Sequence, residues 1–535
     1  TGLSSMRGKI DLIYIDPPFD SKADYRTKIH LPNTDIEQQP RVIEQFAYAD
    51  TWKDGTVSYL EMMIVRLILM KELLSEKGSI YIHIDWHVGH YVKIIMDEIF
   101  GRDHFVNEII WHYIIGASGN STFGRKHNTI FWYSKTDNYI FNRDAIAVPY
   151  NPETIARAKR GEARYSVDAT DLEKKGKNPG DVWSDLHPIQ GNSIENVQFP
   201  TQKPKALLKR ILLASSNPDS IVADFFAGSG SLGSVAEENN RKWILADLGK
   251  PAFMIMRKRL IDQESKPFLY HSIGDYQKEQ FEQSFKGTIS DLAHVVVNLY
   301  GALPFPAQEG NPNNLGYIKQ SKTLVFVDSP SKLTGYNTLK KAQELRSSFM
   351  GGWNKVIILA WNFNPDIGRI IESLDDKNLE VLVIPPDLLD RLKTKSNYDK
   401  LIKSRKIRFS SLQYLTVKPI KKKEYNKEQD VLDIELDNYI LLSPDVLPLD
   451  EKNKEKLQKV IEDDPLSLVE YWSVDPNYDG ETFRSKWQEY RGNNDDLRIK
   501  KSAKIIIPKT DKKFKVCIKA ADVFGFESAT VQEIN

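Results

Sequence analysis

Residues 10–16 read Ile-Asp-Leu-Ile-Tyr-Ile-Asp and run directly into Pro17-Pro18. Apolar residues dominate, which predicts a buried strand. Proline has no N–H to give to a ladder, so the strand must stop at Asp16. The next 120 or so residues suit an α/β sheet. Helical spacing over 57–75 (Leu60, Ile64, Leu67, Ile68, Leu74) is closed by Gly78, 79–84 reads as a strand, 88–100 as an amphipathic helix stopped by Gly101, and 108–113 and 129–134 as two more strands. Strands alternating with helices predict an α/β class.

The pattern lapses over about 136–198, where polar residues, Gly, Pro and scattered aromatics dominate. It resumes after Thr201-Gln202-Lys203-Pro204 with a helix through Leu207, Leu208, Ile211 and Leu212. A strand over 220–225, a Gly-rich turn, a helix, a strand over 242–247 and a helix over 253–261 complete this part. Residues 285–310 read as a connector with a short apolar helix. A second α/β block comes next, with strands at 323–327, 355–360 and 379–384 and helices at 337–349 and 367–374; it lacks a Gly-rich phosphate loop. From about 405 strands alternate (407–409, 414–417, 431–442), and 503–530 reads as hairpins around Thr510-Asp511-Lys512-Lys513.

At 535 residues the chain exceeds one core, and three or four domains of roughly 150 residues are expected. The single cysteine, Cys517, excludes internal disulfides and a cysteine-based zinc site. No apolar run approaches the ~18 residues that span a bilayer, and Thr1–Asp11 lacks a signal-peptide pattern, so a cytoplasmic protein without a membrane partner is expected. The net charge of +1 gives no overall attraction for nucleic acid, so DNA binding must come from local patches. Candidates are Arg157, Lys159, Arg160, Arg164, Lys174, Lys175 and Lys177; Lys400, Lys403, Arg405, Lys406 and Arg408; and Lys421, Lys422 and Lys423. Lysine-rich runs are ordinarily solvated faces.

Two motifs carry chemistry. In Asp16-Pro17-Pro18-Phe19 the prolines fix the backbone, so that a carboxylate and a carbonyl can face one point. An exocyclic aryl amine is a poor nucleophile because its lone pair is delocalised. Two acceptors, the Asp16 carboxylate and the Pro17 carbonyl, can hold its N–H groups and aim the lone pair at an electrophile, while Phe19 offers a stacking face for a base swung out of a duplex. An ordinary strand-to-turn exit is the competing reading. The second motif, Asp224-Phe225-Phe226-Ala227-Gly228-Ser229-Gly230, lies between a strand and a helix, and the next strand ends in Asp247. Glycines admit a ligand close to the backbone, a helix N-terminus receives a carboxylate, and an acid at that place can bind ribose hydroxyls. Here the competing reading is a plain strand-helix turn. His83, Asp85, His87 and His90 cluster by a strand end and could suggest a metal, but the supporting partners of a metal site are not visible and none is assigned.

In order and spacing, Asp16-Pro17-Pro18-Phe19 and Phe226-x-Gly228-x-Gly230 resemble motifs IV and I of the amino DNA methyltransferases, with the catalytic motif first, as in the β-class. Thr201-Gln202-Lys203-Pro204 resembles that class's motif X. Asp181-Val182-Trp183-Ser184-Asp185, Gly78-Ser79-Ile80-Tyr81-Ile82-His83-Ile84-Asp85 and Asp97-Glu98-Ile99-Phe100-Gly101 also look like family sequence. The likeness covers residues 8 to about 265 and is strongest to the modification subunits of type III restriction systems and related stand-alone methylases.

The resemblance implies a Rossmann-like fold, S-adenosylmethionine as cofactor and a flipped base. Asp16 and Pro17 would bind the target amine, with Pro18 shaping the loop and Phe19 stacking. Asp224, Phe226, Ala227, Gly228, Ser229 and Gly230 would form the cofactor turn and Asp247 would take its ribose. Thr201 and Lys203 would flank its methionine end. Target recognition would fall in 136–198. The family's Gly-Asp-Asn strand ahead of the catalytic strand has no counterpart in the given sequence, which leaves a weakened cofactor site as an expectation.

The resulting expectation is an α/β chain: a catalytic domain over 1–135 and 199–265, a target-recognition insert over 136–198, a connector over 266–320, a second α/β domain over 321–400 and a β-rich region over 401–535. Its expected activity is adenine-N6 methylation in a restriction-modification or defence system, since aspartate at position 16 favours adenine over cytosine-N4 in this family. An N4-cytosine enzyme and a catalytically impaired DNA-recognition subunit stay open. Expected partners are double-stranded DNA and, through the C-terminal half, a restriction subunit or a second copy of the chain.

Overall fold

The computed structural model describes residues 5–18, 27–38, 56–113, 121–162, 169–271, 289–305, 312–330, 332–364, 367–384, 388, 409–411, 414–440, 449–525 and 527–535. The chain forms two compact units, Thr1–Tyr25 with Glu44–Leu269, and Arg26–Ile43 with Tyr270–Asn535.

The first unit begins with β1 (Ile10–Ile15). The chain then supplies a hairpin, β2 (Thr27–Leu31) and β3 (Thr34–Gln38), to the second unit and returns as α1 (Thr56–Leu73). Next come β4 (Leu74–Ile84), α2 (Gly89–Phe100), β5 (Phe105–His112), β6 (His127–Ser134), α3 (Pro152–Lys159), α4 (Ala169–Lys175), β7 (Val182–Trp183), α5 (Lys205–Ser215), β8 (Ile221–Asp224), α6 (Ser231–Glu238), β9 (Lys242–Leu245) and α7 (Lys250–Asp262). One seven-stranded sheet results, in the order β7-β5-β6-β4-β1-β8-β9. The run β4-β1-β8-β9 is parallel, while β6 is antiparallel to both β4 and β5.

The side chains of β1 divide as those of a doubly covered strand must. Ile13 and Ile15 pack with Tyr59, Met63 and Leu67 of α1 and Val92 and Met96 of α2. Leu12 and Tyr14 pack with Leu208 and Ile211 of α5 and Leu232 and Val235 of α6. Gly78 does not close a helix. It lies inside β4, where the β1–β4 register shifts, and a Cβ there would stand 2.8 Å from the Ile10 carbonyl oxygen. The glycine allows two backbones to approach.

The irregular stretch 136–198 is pinned to this sheet. β7 adds to β5, Trp111 donates to the Leu186 carbonyl at 2.7 Å, and Arg210 grips both oxygens of Asp185 at 3.0 and 2.5 Å. Its basic patch is partly neutralised, because Arg157, Lys159 and Arg160 pair with Glu153, Glu173 and Glu162.

The second unit has two cores around an α/β sheet and one in a β-rich part. The sheet runs β10 (Leu303–Pro304), β11 (Leu315–Ile318), β12 (Thr323–Val327), β14 (Lys355–Ala360), β16 (Leu379–Val383), β17 (Ser410–Ser411), with β12, β14 and β16 parallel. The short pair β13 (Leu333–Thr334) and β15 (Asn362–Phe363) lies apart. Helix α8 (Ile289–Tyr300) packs Leu292, Val296 and Val297 on one face, and α9 (Tyr336–Ser348) and α10 (Ile367–Leu374) cover the other. The stretch expected to be a connector therefore supplies a helix and two strands of this sheet.

The β-rich part contains β18 (Tyr414–Val417), β19 (Lys421–Glu424), β20 (Gln429–Ile440), α11 (Glu451–Asp463), β21 (Val469–Asp475), β22 (Trp487–Tyr490), β23 (Ser502–Pro508), β24 (Phe514–Asp522) and β25 (Glu527–Ile534). β23 pairs with β20, whereas β24 pairs with β21 and β25. The turn at Thr510–Lys513 thus joins two sheets and is not a hairpin loop; the hairpin is β24–β25. Residues 400–408, including the Lys400–Arg408 basic run and most of the expected strand 407–409, lie outside the described residues. Lys422 and Lys423 pair with Asp430 and Asp433.

The β2–β3 hairpin adds Ile29, Leu31 and Ile36 to this β-rich core, beside Leu449 and Leu457. Asn453 accepts from the Glu37 backbone N–H at 3.4 Å, and Lys456 donates to the Asp35 carbonyl at 2.7 Å. Trp472 is fully buried in the same core, its ring 4.4 Å from that of Trp487 and its Nε1–H bonded to the Lys500 carbonyl at 2.8 Å. Trp472→Ala is expected to destabilise the second unit by about 3–5 kcal/mol through the cavity and the orphaned carbonyl, seen as a lower midpoint in urea melts followed by circular dichroism. Among the described residues no helix is long and apolar enough to cross a membrane.

Candidate active site

β1 and β8 run parallel, Leu12 opposite Val222 and Ile13 opposite Ala223. The helix after β1 packs on one face of the sheet and the helix after β8 on the other. Chain connections that part in this way leave a crevice at the carboxyl ends of the two strands. Asp16 leaves β1 at one lip, and Asp224 ends β8 at the other.

Asp16, Pro18, Thr201, Lys203, Asp224, Phe226, Ala227, Gly228, Ser229 and Asp247 line one pocket in this crevice. Pro17 is buried between Asp16 and Pro18, and Gly230 caps the start of α6. Phe19 lies outside the described residues. Both sequence motifs, a little over 200 positions apart, therefore meet.

The glycine turn is built for close approach. Gly228 and Gly230 have φ of +49° and +71°, a region costly for side-chain-bearing residues. A Cβ on Gly230 would lie 2.3 Å from Met256 Cγ, and one on Gly228 would lie 3.0 Å from Phe199 Cε1 on the pocket wall. The two oxygens of Asp247 accept from the backbone N–H groups of Gly228 and Gly249, each at 2.8 Å, tying the turn to the end of β9. Asp224 accepts from Phe226 N–H at 3.0 Å; burial pushes its carboxyl well above the usual range, and Asp16 and Asp247 add to the shift.

From below, buried Arg259 donates to the Ser229 carbonyl at 3.2 Å and to Ser231 Oγ at 2.8 Å. Nothing in the sequence announces this brace, because an arginine inside a helical pattern carries no signal of what its head reaches.

At the other lip, Lys203 Nζ is bonded to Asp16 Oδ2 and to the Thr201 carbonyl, the latter at 3.2 Å. Asp16 Oδ1 is buried and has no hydrogen-bond partner among the described residues. Burial raises the Asp16 carboxyl, and the charge and hydrogen bond of Lys203 oppose that rise. Beneath Asp16 lies a buried polar chain. Tyr113 donates to Asn128 Oδ1 at 2.8 Å, Asn128 Nδ2 donates to His83 Nε2 at 3.1 Å, and His83 Nδ1 meets the Tyr14 hydroxyl at 2.9 Å. This arrangement assigns the imidazole proton to Nδ1, with the Tyr14 oxygen accepting. Burial holds His83 well below its usual pKa, and Lys203 lowers it further. His83 is thus a neutral scaffold for Tyr14, while Asp85 binds the N–H and ring of His87 at 2.9 and 2.5 Å.

These residues fit an adenosyl cofactor. A Cβ on Gly228 would press on Phe199 of the pocket wall, Asp247 stands beyond the next strand, and Asp16, whose buried Oδ1 has no hydrogen-bond partner among the described residues, lines the same pocket. A parallel-sheet crevice with a glycine turn on one lip and a buried aspartate on the other is a nucleotide-cofactor site by its architecture. The DNA methylase family model for N6/N4 methyltransferases matches residues 10–258, and the chain belongs to this family.

The type II methyltransferase M1.MboII of Moraxella bovis is 34% identical over 45% of this chain and 84% of its own length. The DNA adenine methyltransferase YhdJ of Escherichia coli is 29% identical over 47% and 76%. The Mod subunit of the type III enzyme StyLTI of Salmonella typhimurium is 26% identical over 42% and 45%. Two other type II methyltransferases are spanned over 64% and 50% of their length.

Proposed function

We propose that the chain methylates N6 of an adenine swung out of double-stranded DNA, with S-adenosylmethionine as donor, in a restriction-modification or defence system. The observation that carries this reading is Asp16 lining a pocket shared with the glycine turn, its buried Oδ1 without a hydrogen-bond partner among the described residues. When bound, the cofactor supplies a sulfonium methyl as electrophile.

Asp16 Oδ1 accepts one N–H of the target amine and the Pro17 carbonyl accepts the other. The nitrogen lone pair is thereby drawn out of conjugation and would form the new N–C bond as the S–CH3 bond of a sulfonium donor breaks, its electron pair staying on sulfur. One N–H proton then leaves the methylated nitrogen for Asp16 Oδ1. Phe19 stacks on the base. Phe226, Ala227, Gly228, Ser229 and Gly230 cradle the donor with Asp224 behind them. Asp247 would take the ribose, and Thr201 would border the methionine end. The insert over 136–198 reads the target sequence. Adenine is favoured by the aspartate at position 16, and the relative YhdJ is a DNA adenine methyltransferase. A restriction subunit is the partner suggested by the StyLTI Mod relative.

Mass spectrometry of nucleosides from DNA incubated with protein and cofactor tests the reading. N6-methyladenine is expected. N4-methylcytosine alone would overturn the adenine assignment. DNA binding with no cofactor binding in calorimetry would assign a recognition subunit in its place.

A further inference from the structure

We propose that Lys203 is a positioning residue for Asp16: it takes up Oδ2 and so reserves Oδ1 as the fixed acceptor for the exocyclic amine of the target base. The inference rests on the methyltransferase reading above and assigns Lys203 to the catalytic lip rather than to the donor's methionine end.

A carboxylate has two equivalent oxygens and a free side-chain torsion, so an unrestrained aspartate would offer its acceptor sites in many directions. Here the ambiguity is removed. Oδ2 carries the Lys203 ammonium and Oδ1 carries nothing among the described residues, although both side chains are nearly buried, at 10% and 15% exposed. The ammonium is itself aimed. Thr201, a β-branched residue, is held at φ +67°, a conformation rare for its type, and its carbonyl takes a second bond from Lys203 Nζ. Pro204 comes at once and α5 begins at Lys205, so the backbone under Lys203 is fixed on both sides. Backbone strain of this kind is kept where a side chain must be placed.

The pair also sets charge. Asp16 faces Lys203 from the segment before α5, Tyr14 from its own strand, Asp224 from β8 with Asp247 beyond it, and His83 from β4, neutral by burial. Lys203 is the cation in that set. Burial favours protonation of Asp16, and a protonated Asp16 would present a donor to an amine that needs an acceptor. With Lys203 in place the carboxylate persists to lower pH and can receive the proton that leaves the nitrogen after methyl transfer.

The experiment compares wild type with Lys203→Met, Lys203→Gln and Lys203→Arg as full chains. Three readouts are used: cofactor affinity by calorimetry, single-turnover methyl transfer across pH, and the infrared carboxyl band assigned to Asp16 by its loss in Asp16→Asn. The uncharged variants are expected to bind cofactor within about threefold of wild type. Their transfer should fall about 100-fold at neutral pH, the acid limb should move to higher pH, and the protonated-carboxyl band should persist to higher pH. Lys203→Arg should restore the limb. Loss of cofactor affinity with an unmoved carboxyl band would overturn the inference and make Lys203 a donor ligand. If wild type methylates no DNA, the underlying reading fails, and the infrared titration of the free protein still decides the Lys203–Asp16 relation. Lys203→Gln serves if Lys203→Met does not fold.

Discussion

Asp16→Ala is expected to lower the single-turnover rate of methyl transfer by about 1000-fold or more while leaving cofactor binding close to wild type. The substitution removes the acceptor that frees the nitrogen lone pair, and losing one preorganised hydrogen-bonding group at a reacting centre costs ~100–1000-fold by itself. A second loss comes from the ion pair. Without Asp16, the Lys203 ammonium is left nearly buried without its carboxylate, and breaking a buried pair from one side destabilises by roughly 3 kcal/mol. Its head then has reason to swing into the space meant for the amine. Asp16→Asn separates the two effects, since the amide keeps one acceptor oxygen and the shape but not the charge. Its rate should lie between those of wild type and alanine. Rates of N6-methyladenine formation, read beside calorimetric cofactor affinity and a thermal melt, check this. An alanine variant that retains more than about a tenth of the wild-type rate would exclude Asp16 from the reaction.

Gly230→Ala is expected to act on the opposite lip and with the opposite signature. At φ +71°, with Met256 Cγ 2.3 Å from the added carbon, the methyl group meets both a disfavoured backbone, worth ~1–2 kcal/mol, and an overpacked contact, worth ~1–3 kcal/mol. The turn must yield, and with it the Gly228 N–H bond to Asp247 and the Arg259 bonds to Ser229 and Ser231. Cofactor affinity should fall at least about tenfold and the melting temperature should drop. Gly191→Ala, where nothing lies within 4 Å of an added Cβ, is the control and should change neither.

The catalytic core was largely legible in the sequence because its signals are local. An apolar run ended by two prolines, and a strand, glycine turn and helix, each state their own geometry within about ten residues. Other features failed to show for a common reason: their meaning depends on distant partners. Gly78 reads as a helix stop until Ile10 is seen against it. The Thr510–Lys513 turn reads as a hairpin until β23 and β24 go to different sheets. The bond of Lys203 to Asp16, 187 positions away, has no sign in the sequence around either residue. The hairpin at 27–38 gave no sign at all that its apolar face, Ile29, Leu31 and Ile36, belongs with Leu457.

That hairpin bears on how the protein is made. It is translated right after the catalytic strand, yet the Glu37–Asn453 bond that helps to seat it spans 416 positions. At ~5–20 residues per second a ribosome needs about 20–80 s to cover that distance. Throughout that interval Ile29, Leu31 and Ile36 have no core to enter, and the loop bearing Asp16 is joined to a segment still waiting for its seat. The second unit, to which the hairpin belongs, therefore cannot be completed in order of synthesis, and a nascent chain cut short before the β-rich part leaves this apolar face in water for a chaperone, or another chain, to find.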